Sequence, residues 1–337
     1  MKFPQYSLRT IFIVFFVVAL ILGCVMSVVR RVERQRDAIA VIRSQSGGVV
    51  YEKPDAETWC GDGDDREKNR QTWRGWLDDL LYDVKTVVCF EYTPEISKAL
   101  RDIPNVYNLC INSGVHGTDL HVLPDLPNLH MLSIHKANSL DENAIETLGR
   151  LTQLETLVLK DAPITDSGLR FLQPMRSLEK LELSSIPIDG TGLRNLHECR
   201  DLRTLYVWKG ALTDEGMKAI GGLSQLETLF LVDCDIPVSS FAHLSGLRNL
   251  KWLILSNKWP PEVDFSTFPV LPKLERLEFA VQPPDGQPNT YHVRSLPHFP
   301  MLRELTLGDM DATDDDVEYY RKRRIETVRA NCVLPWD

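Results

Sequence analysis

Four histidines, His116, His121, His130 and His135, lie close together in the chain. Imidazoles at this density are the side chains from which zinc sites are built, but such a site needs three or four converging ligands. No cysteine or carboxylate joins them at ligand spacing. Strand alternation sends His135 to the same face as Met131 and Ser133, leaves His130 at a strand edge and puts the other two in a turn, so no metal is expected. Asp62-Gly63-Asp64-Asp65 is acidic enough to suggest a calcium loop. It lacks the central glycine and terminal glutamate of one and reads as a solvated turn. There is no Gly-Lys-Ser/Thr phosphate loop and no Gly-x-Ser-x-Gly nucleophile elbow. The seven cysteines are scattered. By register Cys89 points inward and Cys110 outward, so they are expected as unpaired packing thiols, which leaves the redox compartment open. No catalytic residues and no cofactor follow, and the chain is not read as an enzyme.

The elements that carry these residues are repeated. A phrase of three aliphatics in the pattern i, i+3, i+5 opens at Leu129, Leu154, Leu178, Leu202, Leu226, Leu250 and Leu274. Leu154-Glu-Thr-Leu157-Val-Leu159 and Leu226-Glu-Thr-Leu229-Phe-Leu231 are typical. Weaker copies stand at Val84/Val87/Cys89, Val106/Leu109/Ile111, Leu302/Leu305/Leu307 and Ile325/Val328/Ala330. Alternating aliphatics over five or six residues suit a strand with one buried face. A fixed period of this length marks a stack of units, none of which buries its apolar face alone.

The phrases resemble the leucine-rich repeat, L-x-x-L-x-L-x-x-N/C-x-L. Cys234 and Ile236 complete that pattern, whereas Ala162, Ile186, Gly210 and Lys258 replace its Asn/Cys. Ile164-Thr-Asp-Ser-Gly168-Leu169, Ile188-Asp-Gly-Thr-Gly192-Leu193 and Leu212-Thr-Asp-Glu-Gly216-Met217 resemble the cysteine-containing or ribonuclease-inhibitor-like subfamily. The resemblance spans about residues 84–331 and implies an α/β solenoid: a curved parallel sheet on the concave side and short helices on the convex side. Thr165, Asp189 and Thr213 stand where helix N-caps belong. Nine prolines from Pro260 to Pro300 forbid regular helix there, so extended or polyproline-like returns are expected from Trp259 onward.

Ahead of the repeats, Ile11 to Val29 carries no charge. As a helix it measures about 28 Å, close to the hydrocarbon thickness of a bilayer. It is read as one uncleaved transmembrane helix, a single-pass anchor in the lipid bilayer. Ile21-Leu22-Gly23-Cys24 also resembles a bacterial lipobox, which would make Cys24 an acylated lipoprotein anchor. The large Leu22 and an apolar run that continues past Cys24 weigh against it. Lys2 and Arg9 on one flank and Arg30, Arg31, Arg34 and Arg36 on the other leave the side of the repeats undecided. The expected organisation is an N-terminal flank at 1–10, the transmembrane helix at 11–29 and a juxtamembrane helix at 30–46. An N-terminal cap at 47–83 and repeats at 84–337 follow. The helix should run on to Ser44, stop at Gly47-Gly48 and pack a stripe of Val28, Val32, Ile39 and Ile42 on the first repeat. Gly48–Tyr51 should open the sheet. Trp73, Trp76, Leu77, Leu80 and Leu81 should plug its end, and Asp314 to Arg324 should form a helix with its charges set against the dipole.

What distinguishes one unit from the next is the set of positions between the aliphatics, which face the concave side. On three adjacent strands these are Tyr206 and Trp208, Phe230 and Val232, and Trp252 and Ile254, bordered by Lys180, Glu182, Arg276 and Glu278. An aromatic centre with a charged rim is the anatomy of a binding hot spot. A net charge of −9 argues against nucleic acid. The chain is therefore read as a membrane-anchored, non-catalytic module that binds a protein partner of unknown identity. The alternative is a structural envelope component acting by self-association, with a second copy of the chain as partner. The intact mass of the membrane-extracted protein should retain residues 1–23. A mass that lacks them and carries added acyl chains would assign the anchor to Cys24.

Overall fold

A computed structural model describes residues 8–45, 47–51, 84–138, 140–257, 259, 265–281, 293–308, 312–323 and 325–330. The repeating phrases become strands of a single sheet in strict sequence order, β1 (Gly48–Tyr51) and β2 (Val84–Cys89) through β12 (Thr327–Ala330). β1 lies antiparallel to β2, and all later neighbours are parallel. The register keeps each aliphatic opposite its equivalent: Leu157, Leu181, Leu205, Leu229, Leu253, Leu277 and Leu305 form one continuous row. All are buried. Burying each such leucine contributes about 1.5–3 kcal/mol, and the gain exists only while its neighbours stay in register. Cys89 is buried and Cys110 half-buried, as their register requires, and the five described cysteines are free.

Ahead of the sheet, α1 (Leu8–Ser44) is one uninterrupted helix. It ends where the Gly47 N–H donates to the Ile42 carbonyl at 2.9 Å. A Cβ at Gly47 would stand 2.6 Å from Ile42 atoms, so glycine closes the helix. Val32, Ala38, Ile39 and Ile42 are buried, but Val28 is exposed, so the packed stripe begins one turn later than the sequence spacing suggests. The expected plug at Trp73, Trp76, Leu77, Leu80 and Leu81 lies outside the described residues.

The convex side departs from the expected run of helices. Besides α2 (Pro94–Leu100) and α3 (Glu142–Leu148), only Thr213 of the three expected caps starts an α-helix, α4 (Asp214–Gly221). Its Oγ1 accepts the Gly216 N–H at 3.2 Å. After Thr165 and Asp189 the chain makes 3-10 turns at Gly168–Leu172 and Thr191–Glu198. The reason is a competing use of the carboxylates. Asp166 reaches into the next unit and accepts the N–H groups of Asp189 and Gly192, both at 2.7 Å. Asp189 accepts the Thr191 N–H at 2.8 Å and closes its own turn. A further 3-10 return, Val238–Gly246, follows α4.

An α-helix is about 10 Å wide and strands lie about 4.8 Å apart, so adjacent returns crowd one another. α4 meets this with glycine on both flanks. A Cβ at Gly216 would stand 2.1 Å from the Asp189 carbonyl oxygen of the unit before, and one at Gly221 2.1 Å from that of His243 in the unit after.

In the proline-rich units the described returns are not extended throughout: Phe265–Thr267 and Val293–Ser295 form 3-10 turns. Aromatic rings fill the interior there. Phe241 meets Trp259 and Phe268, each at 5.3 Å between centroids, and Phe265 meets Phe279 at 5.2 Å. The last helix, α5 (Asp314–Arg321), begins as expected at Asp314, in a capping box formed by Thr313 and Asp316.

Gly216→Ala should lower stability by about 1–3 kcal/mol through this backbone clash. Gly48→Ala, whose Cβ would meet nothing within 4 Å, should be close to neutral. Chemical denaturation of the two variants checks the difference.

Candidate functional site on the concave face

Strand alternation delivers the expected side chains to one surface, and the structure joins them into a chain of contacts. The Tyr206 and Phe230 rings meet edge to face at 5.6 Å. Phe230 and Trp252 do the same at 4.8 Å. The Arg276 guanidinium lies 4.5 Å from the centre of the Trp252 ring. Four side chains on β7 (Thr204–Trp208), β8 (Thr228–Val232), β9 (Trp252–Asn257) and β10 (Arg276–Val281) thus form one ridge. Edge-to-face pairs contribute about 0.5–1.5 kcal/mol beyond burial, so the ridge is held in place before anything binds.

Trp208 stands apart, at the C-terminal end of β7. Its Nε1–H donates to Asp233 at 3.2 Å, and the Lys209 ammonium lies 5.2 Å from its ring centre. Val232 and Ile254 share the face but offer no surface, being 3% and 0% exposed. Ile254 pairs in register with Phe230 on one side and Glu278 on the other, and Trp252 bridges to Glu278 through Nε1–H at 3.0 Å. Taller neighbours close over it, so both residues form the floor of the patch.

The rim charges are matched internally. Glu182 takes the Lys160 ammonium at 3.2 Å and that of Lys180 at 3.9 Å. Arg276 pairs with Glu304 at 2.9 Å. Burial pushes the Glu278 carboxyl above the ordinary glutamate range, while the Trp252 N–H and Arg276 pull it back. Burial, with Glu182 nearby, raises the Tyr206 hydroxyl to about 12, so it stays neutral. The partners Lys160 and Glu304 were visible as the equivalent positions of neighbouring units. The Trp208–Asp233 bond was not, because Asp233 follows its strand in the left-handed region at φ 51°. Lys136, Asp161, Ser185 and Lys209 repeat that conformation at φ 49–56° in the four preceding units.

The histidines serve other ends. His135 lies on the concave side with Nε2 2.8 Å from the Ser133 hydroxyl, and burial followed by Lys160 lowers its pKa, keeping it neutral. His130 stacks on Tyr107 at 4.5 Å, with Nδ1 2.7 Å from the Asn128 carbonyl. Among the described residues no three His, Cys, Asp or Glu side chains gather as a metal site would need.

No family model matches the chain, and no curated protein does. Similar solved structures include an internalin (inlF) from Listeria monocytogenes str. 4b F2365, at 23% identity and a TM-score of 0.46. That match covers 58% of this chain and 54% of the internalin. A TLR13–ssRNA13 complex matches at 22% identity and a TM-score of 0.44, over 62% of this chain and 30% of the other. The chain thus spans about half of the first and under a third of the second. Its own registered sheet and short convex returns define a leucine-rich-repeat solenoid with one N-terminal apolar helix.

Glu278 should titrate above the ordinary glutamate value, and Trp252→Phe should raise it further by removing the N–H that favours the ionised form. Because the folded value is the raised one, the fold is favoured with Glu278 protonated. That contribution is lost as pH rises through the raised pKa. A carboxyl carbon-13 titration reads both shifts, and an unchanged value in Trp252→Phe would remove Trp252 from the network.

Proposed function

We propose that this chain is a membrane-anchored, non-catalytic recognition module. Its concave aromatic face binds a protein partner through Tyr206, Trp208, Phe230 and Trp252, over a floor of Val232 and Ile254. Lys180, Glu182, Arg276 and Glu278 form the rim. The observation that carries the reading is the continuous ridge from Tyr206 to Arg276, preorganised and bordered by charges that already have partners. A rigid apolar surface of this kind takes little ordering to bind. Its closed ion pairs leave no net charge for a partner to match, so the partner surface is apolar and close to neutral. Anchoring through residues 11–29 is supported by α1 itself. Ile13, Phe15, Phe16, Leu20, Ile21 and Leu22 are all more than half exposed on a helix apolar all round, which suits lipid as solvent.

Trp208→Ala combined with Trp252→Ala in the full-length protein should preserve the melting transition. It should also abolish capture of the partners that the native protein crosslinks in its membrane. Two aromatics, Trp252 within the ridge and Trp208 beside it, at about 2 kcal/mol or more each imply at least a few hundredfold weaker binding. Retention of the same partners by the folded variant would refute the patch. If the double variant instead loses only concentration-dependent self-association, the partner is a second copy of the chain and the structural reading holds.

A further inference from the structure

α1 fixes more than attachment. Its end sits beside the start of α2, where Thr93 Oγ1 donates to the Gln45 side chain. Eleven residues earlier, Arg34 approaches Asp102, just past the end of α2, at 3.9 Å. α1 therefore runs antiparallel to α2 and parallel to the strands, which stand across the axis of the solenoid. It leaves the fold at the edge where the turns lead into the strands. Val32, its first buried residue, is only three positions beyond Val29, about 4.5 Å along the helix. If α1 crosses the bilayer, that whole edge of turns faces the headgroups.

The same edge carries an arginine at one repeat position in four units, interrupted by Ser224, Pro272 and Pro300 in others. Arg176, Arg200, Arg248 and Arg323 each stand two residues before the aliphatic that opens a phrase, at Leu178, Leu202, Leu250 and Ile325. Arg176, Arg200 and Arg248 are exposed, and among the described residues no carboxylate pairs with any of the three. Of the carboxylates at this edge, Glu155 accepts the Tyr107 hydroxyl at 2.6 Å and Glu227 takes Lys251 at 2.6 Å, while Glu179, Glu198 and Asp201 are exposed between the arginines. The opposite edge, where the strands end, carries the exposed Lys136 and Lys209 but more carboxylates, with Asp161, Asp189, Asp214, Asp233 and Asp235 all exposed. Helix dipoles alone do not account for the row. Arg176, Arg200 and Arg248 follow short 3-10 returns, and only Arg323 follows an α-helix.

We propose that the turn edge bearing Arg176, Arg200, Arg248 and Arg323 lies on the anionic headgroups of the membrane that α1 crosses. Arg30, Arg31, Arg34 and Arg36 extend the same basic surface along the helix. Guanidinium groups suit this task because their fork of donors matches phosphate oxygens. The acidic edge is repelled by the same surface, so the charge asymmetry sets the orientation. The strands then rise from the bilayer, and the aromatic ridge opens sideways, along the membrane plane. The proposal rests on the anchoring reading.

The full chain in nanodiscs of phosphatidylcholine, with or without phosphatidylserine, tests it by arginine modification with phenylglyoxal and peptide mapping. Phosphatidylserine should slow modification of Arg200 and Arg248 several-fold, reversibly with high salt. Arg170 and Arg194, within the returns, should be unaffected. The triple variant Arg176→Glu, Arg200→Glu, Arg248→Glu should lose the lipid-dependent protection of Arg323. Equal rates in both lipids for a chain that elutes with the disc would overturn the edge contact alone. A chain that does not stay with the disc would overturn the anchoring reading and this proposal together.

Discussion

Everything in this molecule depends on the lateral match between one leucine and the next. A single unit has a strand, a turn and a few apolar side chains, too little to fold alone. Set side by side in register, the units bury unbroken rows such as Leu181, Leu205, Leu229 and Leu253. The concave face is narrow in pitch because strands are narrow, and the convex face must fit whatever space remains. That explains why α4 is flanked on both sides by 3-10 returns and lined by Gly216 and Gly221. It also explains why the aromatic interior appears where prolines have removed helix. Rings at Phe241, Trp259, Phe265 and Phe279 fill volume that helical aliphatics fill elsewhere.

Strand positions were legible because alternation and period act together. Cys89 inward, Cys110 outward, the start at Gly48 and the stop of α1 at Gly47 all follow from local rules. The returns were less legible. A Thr-Asp pair is a good helix start when its side chains serve their own turn, as at Thr213. It is not when Asp166 spends its carboxylate on the next unit, and one unit read by itself carries no sign of that. The patch was half legible for a related reason. Alternation tells which face a side chain takes, not the height of its neighbours, so Ile254 and Val232 share the face without reaching its surface. The interior aromatics of the proline-rich units escaped notice because irregular returns have no period to betray them.

Electrostatics divides the surface into regions of different character. On the concave face each rim cation has its anion within the same sheet, which leaves the aromatic ridge apolar and its border close to neutral. The turn edge carries Arg176, Arg200 and Arg248, unpaired among the described residues, and the edge where the strands end carries more of the exposed aspartates. The five left-handed residues from Lys136 to Asp233 mark where the chain turns from one regime to the other. Each costs roughly 1–2 kcal/mol relative to glycine, and the parallel ladder on either side holds them.

The continuity of α1 has a mechanical meaning. α1 contains no proline, and its one glycine, Gly23, lies within the apolar stretch itself. The stalk is thus a stiff shaft keyed into the first units at Val32, Ile39 and Ile42. Rotation or tilt of the shaft therefore turns the first units with it, and any motion of those units is carried back along the whole helix.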